Sequence, residues 1–290
     1  MEFVMHIFEH ALLDTLRLVP FLFVTYLAME ALEHKAGEKA EEVVRRAGAA
    51  GPAIGGVLGA VPQCGFSAAA ATLYAGHVVT LGTLFAVFLS TSDEMLPIFI
   101  AEQVAPQTMF AILAAKVVIG MAVGFAIDAV MRVVRRSRKD PIAIHEMCER
   151  DHCHCEGEEG GILRSAVIHT LQVTVFILIV SLVLEALIEG VGEDALASFL
   201  SANPALSVLA ASVVGLIPNC AASVVVTELY LEGALGAGAM LAGLLVSAGV
   251  GLLVLFRANR HLGQNLAIAV GLVVIGFVCG TVVNAAGISF

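Results

Sequence analysis

The chain contains its own pattern twice. Asp14-Thr15-Leu16-Arg17 through Glu30-Ala31-Leu32 reappears 155 residues later as His169-Thr170-Leu171-Gln172 through Glu185-Ala186-Leu187. After a one-residue slip the offset is 156: Val61-Pro62-Gln63-Cys64 falls on Ile217-Pro218-Asn219-Cys220, and Leu73-Tyr74 on Leu229-Tyr230. Val117-Val118-Ile119-Gly120 falls on Val273-Val274-Ile275-Gly276, Gly124 on Gly280, and Asp128 on Asn284. Agreement at one offset across about 120 residues makes the protein two homologous halves. The domain reading is a first repeat over 1–131, a linker over 132–164 and a second repeat over 165–290.

The repeats are made for a membrane. Of the 290 residues, 59% are hydrophobic and 14% charged, against roughly 25% charged in an ordinary soluble domain. Of the 40 charges, 22 sit in residues 33–46 and 132–164, leaving long apolar runs between short polar breaks. A span needs ~20 apolar residues to cross ~30 Å of hydrocarbon, so these runs read as membrane helices. They lack the strict alternation of a β-barrel. The net charge of -10 argues against a nucleic-acid partner. With no glycine-rich phosphate loop ending in Lys-Ser or Lys-Thr, pumping would be secondary or subunit-assisted. Met1–His10 lacks the basic start of a secretory signal, so the first apolar segment is expected to be a retained helix.

Each half reads as one full helix (11–33; 165–188), two short apolar pieces meeting at the Pro-x-Cys motif, and two more full helices. The short pieces, 49–61 with 65–76 and 205–217 with 221–232, are ~20 Å long as helices and too short to cross. Each pair is expected to be a re-entrant hairpin. Of the 15 Lys+Arg, 13 lie in 35–46, 132–164 and Arg257–Arg260, while 102–107 and 189–204 contain none. The positive-inside rule then makes those three regions cytoplasmic and both termini external, in a multi-pass protein of the inner (plasma) membrane. An odd number of full crossings per half inverts one repeat relative to the other. The fold class is therefore all-α integral membrane, with two inverted-topology repeats, each combining full transmembrane helices with a broken re-entrant hairpin whose tip reaches the midplane.

The candidate site follows from that convergence. Each tip supplies a helix breaker, an amide and a thiol: Pro62, Gln63 and Cys64 in the first, Pro218, Asn219 and Cys220 in the second. Ser67 and Ser223 follow one turn later, and the helix starts offer N–H groups to a ligand. The competing reading makes the prolines mere turns and the cysteines packing residues. Ser90, Thr91, Asp93 and Glu94 fall inside the apolar run from Val78 to Ile100, so two acids are expected deep within a helix, where carboxylates are costly and functional by default. A structural ion pair to Lys116 or Arg17 is the alternative. Those two cations, replaced by Leu272 and Gln172 in the other half, either hold an anionic substrate or neutralise the acids. Glu228, opposite Thr72 by repeat, is a further candidate in the second hairpin. The Gly-x-x-x-Gly pairs at 120/124 and 276/280 read as helix-packing devices.

The linker is a separate object. His145, Cys148, His152, Cys153, His154 and Cys155 stand among six acids, a donor set suited to soft or borderline ions. A cytoplasmic location disfavours disulfides and supports metal binding or sensing, although Cys-x4-Cys-x-Cys matches no closed zinc finger. A solvated connector is the other reading.

The duplicated Pro-Gln-Cys and Pro-Asn-Cys segments, the Ser90–Glu94 stretch and the His/Cys-rich middle loop together resemble a family of prokaryotic membrane proteins described as ten-transmembrane heavy-metal exporters, also labelled arsenic-efflux or manganese-transporter proteins. The resemblance covers nearly the whole chain and implies export of a metal ion or metalloid. Five segments per half agree with a count of ten. The leading function is a secondary exporter working by alternating access with proton or ion coupling through Asp93 and Glu94. It needs the lipid bilayer, a metal or metalloid substrate and a coupling ion, with no resident cofactor and a homo-oligomer as an option. A small-organic-anion transporter is the alternative. An intramembrane enzyme ranks lower, since neither a His-Glu-x-x-His helix nor a Gly-x-Ser-x-Gly nucleophile occurs.

Overall fold

The computed structural model describes residues 12–13, 15–16, 19–20, 22–24, 26–27, 48, 50–62, 64–92, 95–134, 160–191, 204–288 and 290. The described residues between Leu12 and Leu27 are helical. Eleven further helices follow: α1 (Gly51–Gly59), α2 (Cys64–Ala75), α3 (Leu81–Ser90), α4 (Met95–Ala101), α5 (Pro106–Val134), α6 (Gly160–Val191), α7 (Pro204–Val214), α8 (Cys220–Leu231), α9 (Ala237–Val246), α10 (Val250–Ala258) and α11 (Leu262–Ala285). The described residues contain no strand.

The duplication is written into these bounds. α2 and α8, and likewise α3 and α9, are offset by 156 at both ends, and α5 and α11 start 156 apart. The turns that end α2 and α8 each place a residue in the left-handed region, His77 (φ 58°) and its repeat partner Gly233 (φ 76°). Breaks at Pro62 and Pro218 fall where the sequence places them. One expectation fails: the run from Val78 to Ile100 is not a continuous helix. It splits into α3 and α4, with Thr91 and Ser92 unwound, and its partner splits into α9 and α10 around Ser247–Gly249. Hydroxyl and glycine residues inside an apolar run offer the backbone alternatives to the helix. Gly249 uses that freedom directly, at φ 53°.

Glycine sets how closely the helices approach. A methyl group on Gly120 would lie 2.8 Å from the Ala86 carbonyl oxygen, and one on Gly124 would lie 2.5 Å from that of Gly82. The same register recurs where Gly276 meets the Ala242 carbonyl and Gly280 meets that of Gly238. Each Gly-x-x-x-Gly pair thus seats α5 on α3, or α11 on α9, backbone to backbone. One turn beyond, Asp128 Oδ1 accepts from Gly82 N at 2.9 Å and its Oδ2 accepts from Thr80 Oγ1 at 2.7 Å. Asn284 Oδ1 accepts from Gly238 N at 3.2 Å at the matching place. A neighbouring helix therefore caps the starts of α3 and α9.

α1 lies parallel to α3, since Gly51 faces Thr83, Gly55 faces Thr83 and Val87, and Gly59 faces Val87 and Ser90. α7 relates to α9 in the same sense: Val208 shares Gly280 with Gly238, and Gly215 meets Gly243. Across the repeats the packing is reciprocal, α2 against α10 and α8 against α4. Each half therefore completes its packing with a piece of the other.

Pro106–Val134, Ala237–Ala258 and Leu262–Ala285 are long and apolar enough to cross a membrane. On α11 the exposed residues Leu262, Leu266, Val270, Val274, Val278 and Val282 form an apolar stripe opposite buried Gly276 and Gly280. A helix apolar on both faces belongs in lipid. The stretch Ala237–Ala258, which carries α9 and α10, is instead buried by protein, which makes it a central element.

Replacing Gly124 or Gly280 by Val should destabilise the detergent-solubilised protein by about 1–3 kcal/mol, the usual cost of overpacking. Asp128→Asn should cost less, about 1 kcal/mol, because the amide keeps an acceptor for Gly82 N, as Asn284 does for Gly238 N, but loses the charge at the helix start and the acceptor for Thr80 Oγ1. Circular dichroism melting at 222 nm reads this, tryptophan fluorescence being ruled out in a chain with no Trp. Equal melting of Gly124→Val and wild type would remove the close approach as a source of stability.

Candidate functional site

The break between α3 and α4 is lined with hydroxyls whose protons are already committed. Ser90 Oγ donates to Ala86 O at 2.7 Å, Thr91 Oγ1 to Val87 O at 2.8 Å, and Ser92 Oγ to Ser90 O at 3.0 Å. Each hydroxyl has one proton and two lone pairs, so these oxygens face anything else as acceptors. All three residues are buried.

Lys116, on α5, is 1% exposed, and its Nζ donates to the Thr91 carbonyl at the end of α3. The last carbonyls of a helix carry partial negative charge, so an ammonium is favoured there and a carboxylate at the other end. Asp128 occupies that other end. Ile112, Lys116, Gly120 and Gly124 form the buried stripe of α5. One face of α5 therefore holds both ends of α3 with opposite charges and its middle with glycine. In the second half the corresponding residues are neutral, Leu272 and Asn284.

Both helix breaks open onto one cavity. Thr91, Ser92, Met95, Lys116, Ser223, Leu244 and Ser247 enclose about 10 Å³, room for roughly one water-sized occupant. Thr91 and Ser247 are repeat partners, so the two breaks contribute the same position from each half. The cavity also sits at mid-span: Ser247 is the eleventh of the 22 residues from Ala237 to Ala258. Gly59, just before the break at Pro62, packs at Val87 and Ser90, next to Thr91 in the chain.

The structure brings together several residues named from the sequence. Ser223, one turn into α8, lines the cavity with Thr91 and Lys116. Asn219 is buried immediately before α8, and Ser90 is buried behind Thr91. Ser67 is buried elsewhere, against Gly251 of α10. Glu228 lies on α8 with its side chain exposed, away from the cavity lining. Val61 and Pro62 are exposed while Ile217 and Pro218 are half-buried, so the two proline breaks are not in equivalent surroundings. Cys64 and Cys220 begin α2 and α8. Their side chains, together with Gln63, Asp93, Glu94, Arg17 and linker residues His145, Cys148, His152, Cys153, His154 and Cys155, lie outside the described residues. Among the described residues no cluster of His, Cys, Asp and Glu could hold a metal.

Sequence reasoning missed Ser247, Met95 and Leu244. A signal for Ser247 was present, because the repeat aligns it with Thr91.

Spanning helices with apolar outer faces, packed around a buried span that is interrupted at a polar cavity, define a multi-pass α-helical membrane protein. The chain belongs to the family described as “Putative, 10TM heavy-metal exporter”, which it matches over residues 3–194 and 161–289. No curated protein and no solved structure matches it.

Lys116→Leu installs the residue that the second half carries at the equivalent position. It should leave the protein inserted and helical but lower transport at least tenfold in proteoliposomes. Full transport by this variant would reduce the ammonium to a packing device.

Proposed function

We propose that this chain is a secondary active transporter that exports a metal ion or metalloid by alternating access, coupled to a proton or other ion. The observation that carries the reading is the polar cavity at the meeting of two broken membrane helices. Irregular backbone at membrane depth is tolerated where it is buried in protein or lines a cavity, and interrupted helices at mid-membrane are how many secondary transporters build a substrate site. Membership of a heavy-metal exporter family supports the cargo class.

The inverted arrangement draws support from reciprocal packing of α2 on α10 and α8 on α4, the exchange expected of halves related by a two-fold. Re-entrant hairpins draw support from the parallel course of α1 and α3. Both start at one level, with Pro52 and Gly82 each against Gly124, so α2 must return the chain to that level. The clustering of 13 of 15 Lys+Arg in three loops supports cytoplasmic placement of those loops and external termini in the inner membrane.

Cargo polarity follows from the hydroxyls. Thr91 and Ser92 present lone pairs, which suits a cation or a neutral hydroxylated metalloid. A cavity of about 10 Å³ suits a small inorganic species better than an organic anion, although Lys116 at its wall keeps the anion as the second reading. Asp93 and Glu94 flank cavity residues Ser92 and Met95 in sequence and supply the coupling carboxylates in this reading. The tips contribute Gln63, Cys64, Asn219, Cys220 and Ser223 in this reading, whereas Ser67, buried against Gly251, lies off the cavity.

Uptake of Mn²⁺ and arsenite into proteoliposomes, with and without a pH gradient, tests the proposal. Wild type should move at least one of them in a gradient-dependent way, and Asp93→Asn should abolish or uncouple that movement. Unchanged, gradient-coupled transport by Asp93→Asn would remove the acid from the mechanism.

Replacing Cys148, Cys153 and Cys155 together should weaken metal binding by the isolated linker yet leave transport at saturating substrate largely intact. The linker has no counterpart in either repeat, so capture or sensing fits it better than conduction. Loss of transport at saturation, with protein level unchanged, would place it on the conduction path.

A further inference from the structure

The repeat creates two equivalent seams between the halves, and they are not built alike. At one, α8 meets α4, with Ser223 and Met95 on the cavity. At the other, α2 meets α10, where a methyl group on Gly251 would lie 2.7 Å from Ser67 Cβ and 2.8 Å from its carbonyl carbon. Ser67 is the repeat partner of Ser223, and Gly251 that of Met95. A glycine lets α10 seat directly on the α2 backbone. A methionine at the same place keeps α4 off α8 by the length of its side chain.

The remaining partners follow the same division. The cavity residues Ser92, Lys116 and Leu244 correspond to Ala248, Leu272 and Phe88 at the second seam. Those three are at most 2% exposed, and all are apolar. The second seam is therefore closed by direct backbone contact at Ser67 and Gly251, whereas at the first a polar cavity adjoins the buried apolar cluster that holds Met95 and Phe99 with Val225 and Leu229. Direct backbone packing resists local opening, and a cavity left between helices permits it.

We propose that only the α4–α8 seam opens to admit cargo, that the α2–α10 seam is a fixed joint throughout the cycle, and that residues 95 and 251 set this difference. The duplicated fold then holds one working site per chain instead of two that alternate. Met95 acts as a positioning residue, since it spaces the seam that Thr91, Ser92, Ser223 and Ser247 line. This rests on the transporter reading for its cargo, but its structural content is separable.

Hydrogen–deuterium exchange on the full-length protein in lipid nanodiscs tests it. Without added ion, peptides covering 95–101 and 220–231 should exchange at least tenfold faster than those covering 64–75 and 250–258. MnCl2 or sodium arsenite, whichever is transported, should slow the first pair and leave the second unchanged. Met95→Gly should remove the contrast and raise the transport KM at least tenfold, while Met95→Leu, which conserves bulk, should restore both. If Met95→Gly does not accumulate, the wild-type contrast decides alone. Equal exchange at the two seams, or loosening of α2 and α10 when cargo binds, would overturn the proposal. A clear contrast with neither transport nor protection by either ion would sink the metal-export reading instead, leaving the seam difference intact.

Discussion

A backbone amide or carbonyl in hydrocarbon must find a partner inside the protein, and that requirement organises this fold. Interrupting α3 at mid-span frees carbonyls that a continuous helix would satisfy. The chain answers locally, with Ser92 donating to Ser90 O, and from a neighbour, with Lys116 donating to Thr91 O. The second answer requires α5 to lie very close to α3, and Gly120 and Gly124 allow it. Helix packing and the chemistry of the break are thus one design: a side chain at position 120 or 124 would push the ammonium off the carbonyl it serves.

The same face of α5 explains why the halves have diverged. With Asp128 at the start of α3 and Lys116 at its end, the first half opposes the helix dipole with full charges. The second half keeps the geometry through Asn284 and fills the other end with Leu272. Scaffold contacts survive in both copies, whereas buried charge survives in one. That pattern fits a duplication in which packing was retained everywhere and polar chemistry was kept at a single seam.

Much of this was legible in the sequence because the repeat turns weak signals into paired ones. A lone Pro-x-Cys or Gly-x-x-x-Gly is ambiguous, but the same motif 156 residues later in the same role is not, and the helix bounds agree with it. The break at Thr91–Ser92 coincides with the polar stretch Ser90–Glu94, but apolar residues on both sides let the segment pass for one helix, and the only proline there, Pro97, falls within α4. Asp128 drew notice only as a match to Asn284, since capping by a residue 46 positions away leaves no local pattern. The contrast of Met95 with Gly251 was visible as letters, but its meaning depends on which helices touch, and periodicity does not carry that.

The charge of the site can be argued from the same elements. Lys116 places one positive charge at the cavity wall, and an entering cation would be repelled by it. At about 4 Å, two unit charges interact by roughly 4 kcal/mol at an effective dielectric of 20, enough to exclude a cation unless something offsets it. In the proposed site, Asp93 and Glu94, which lie between cavity residues Ser92 and Met95 in sequence, would bring the formal sum of the three groups to -1 when all are ionised. A single negative charge with hydroxyl lone pairs attracts a cation yet holds it less firmly than two carboxylates alone would. Weak enough binding to release is what transport needs, so the ammonium that at first argues for an anion serves a cation exporter equally well.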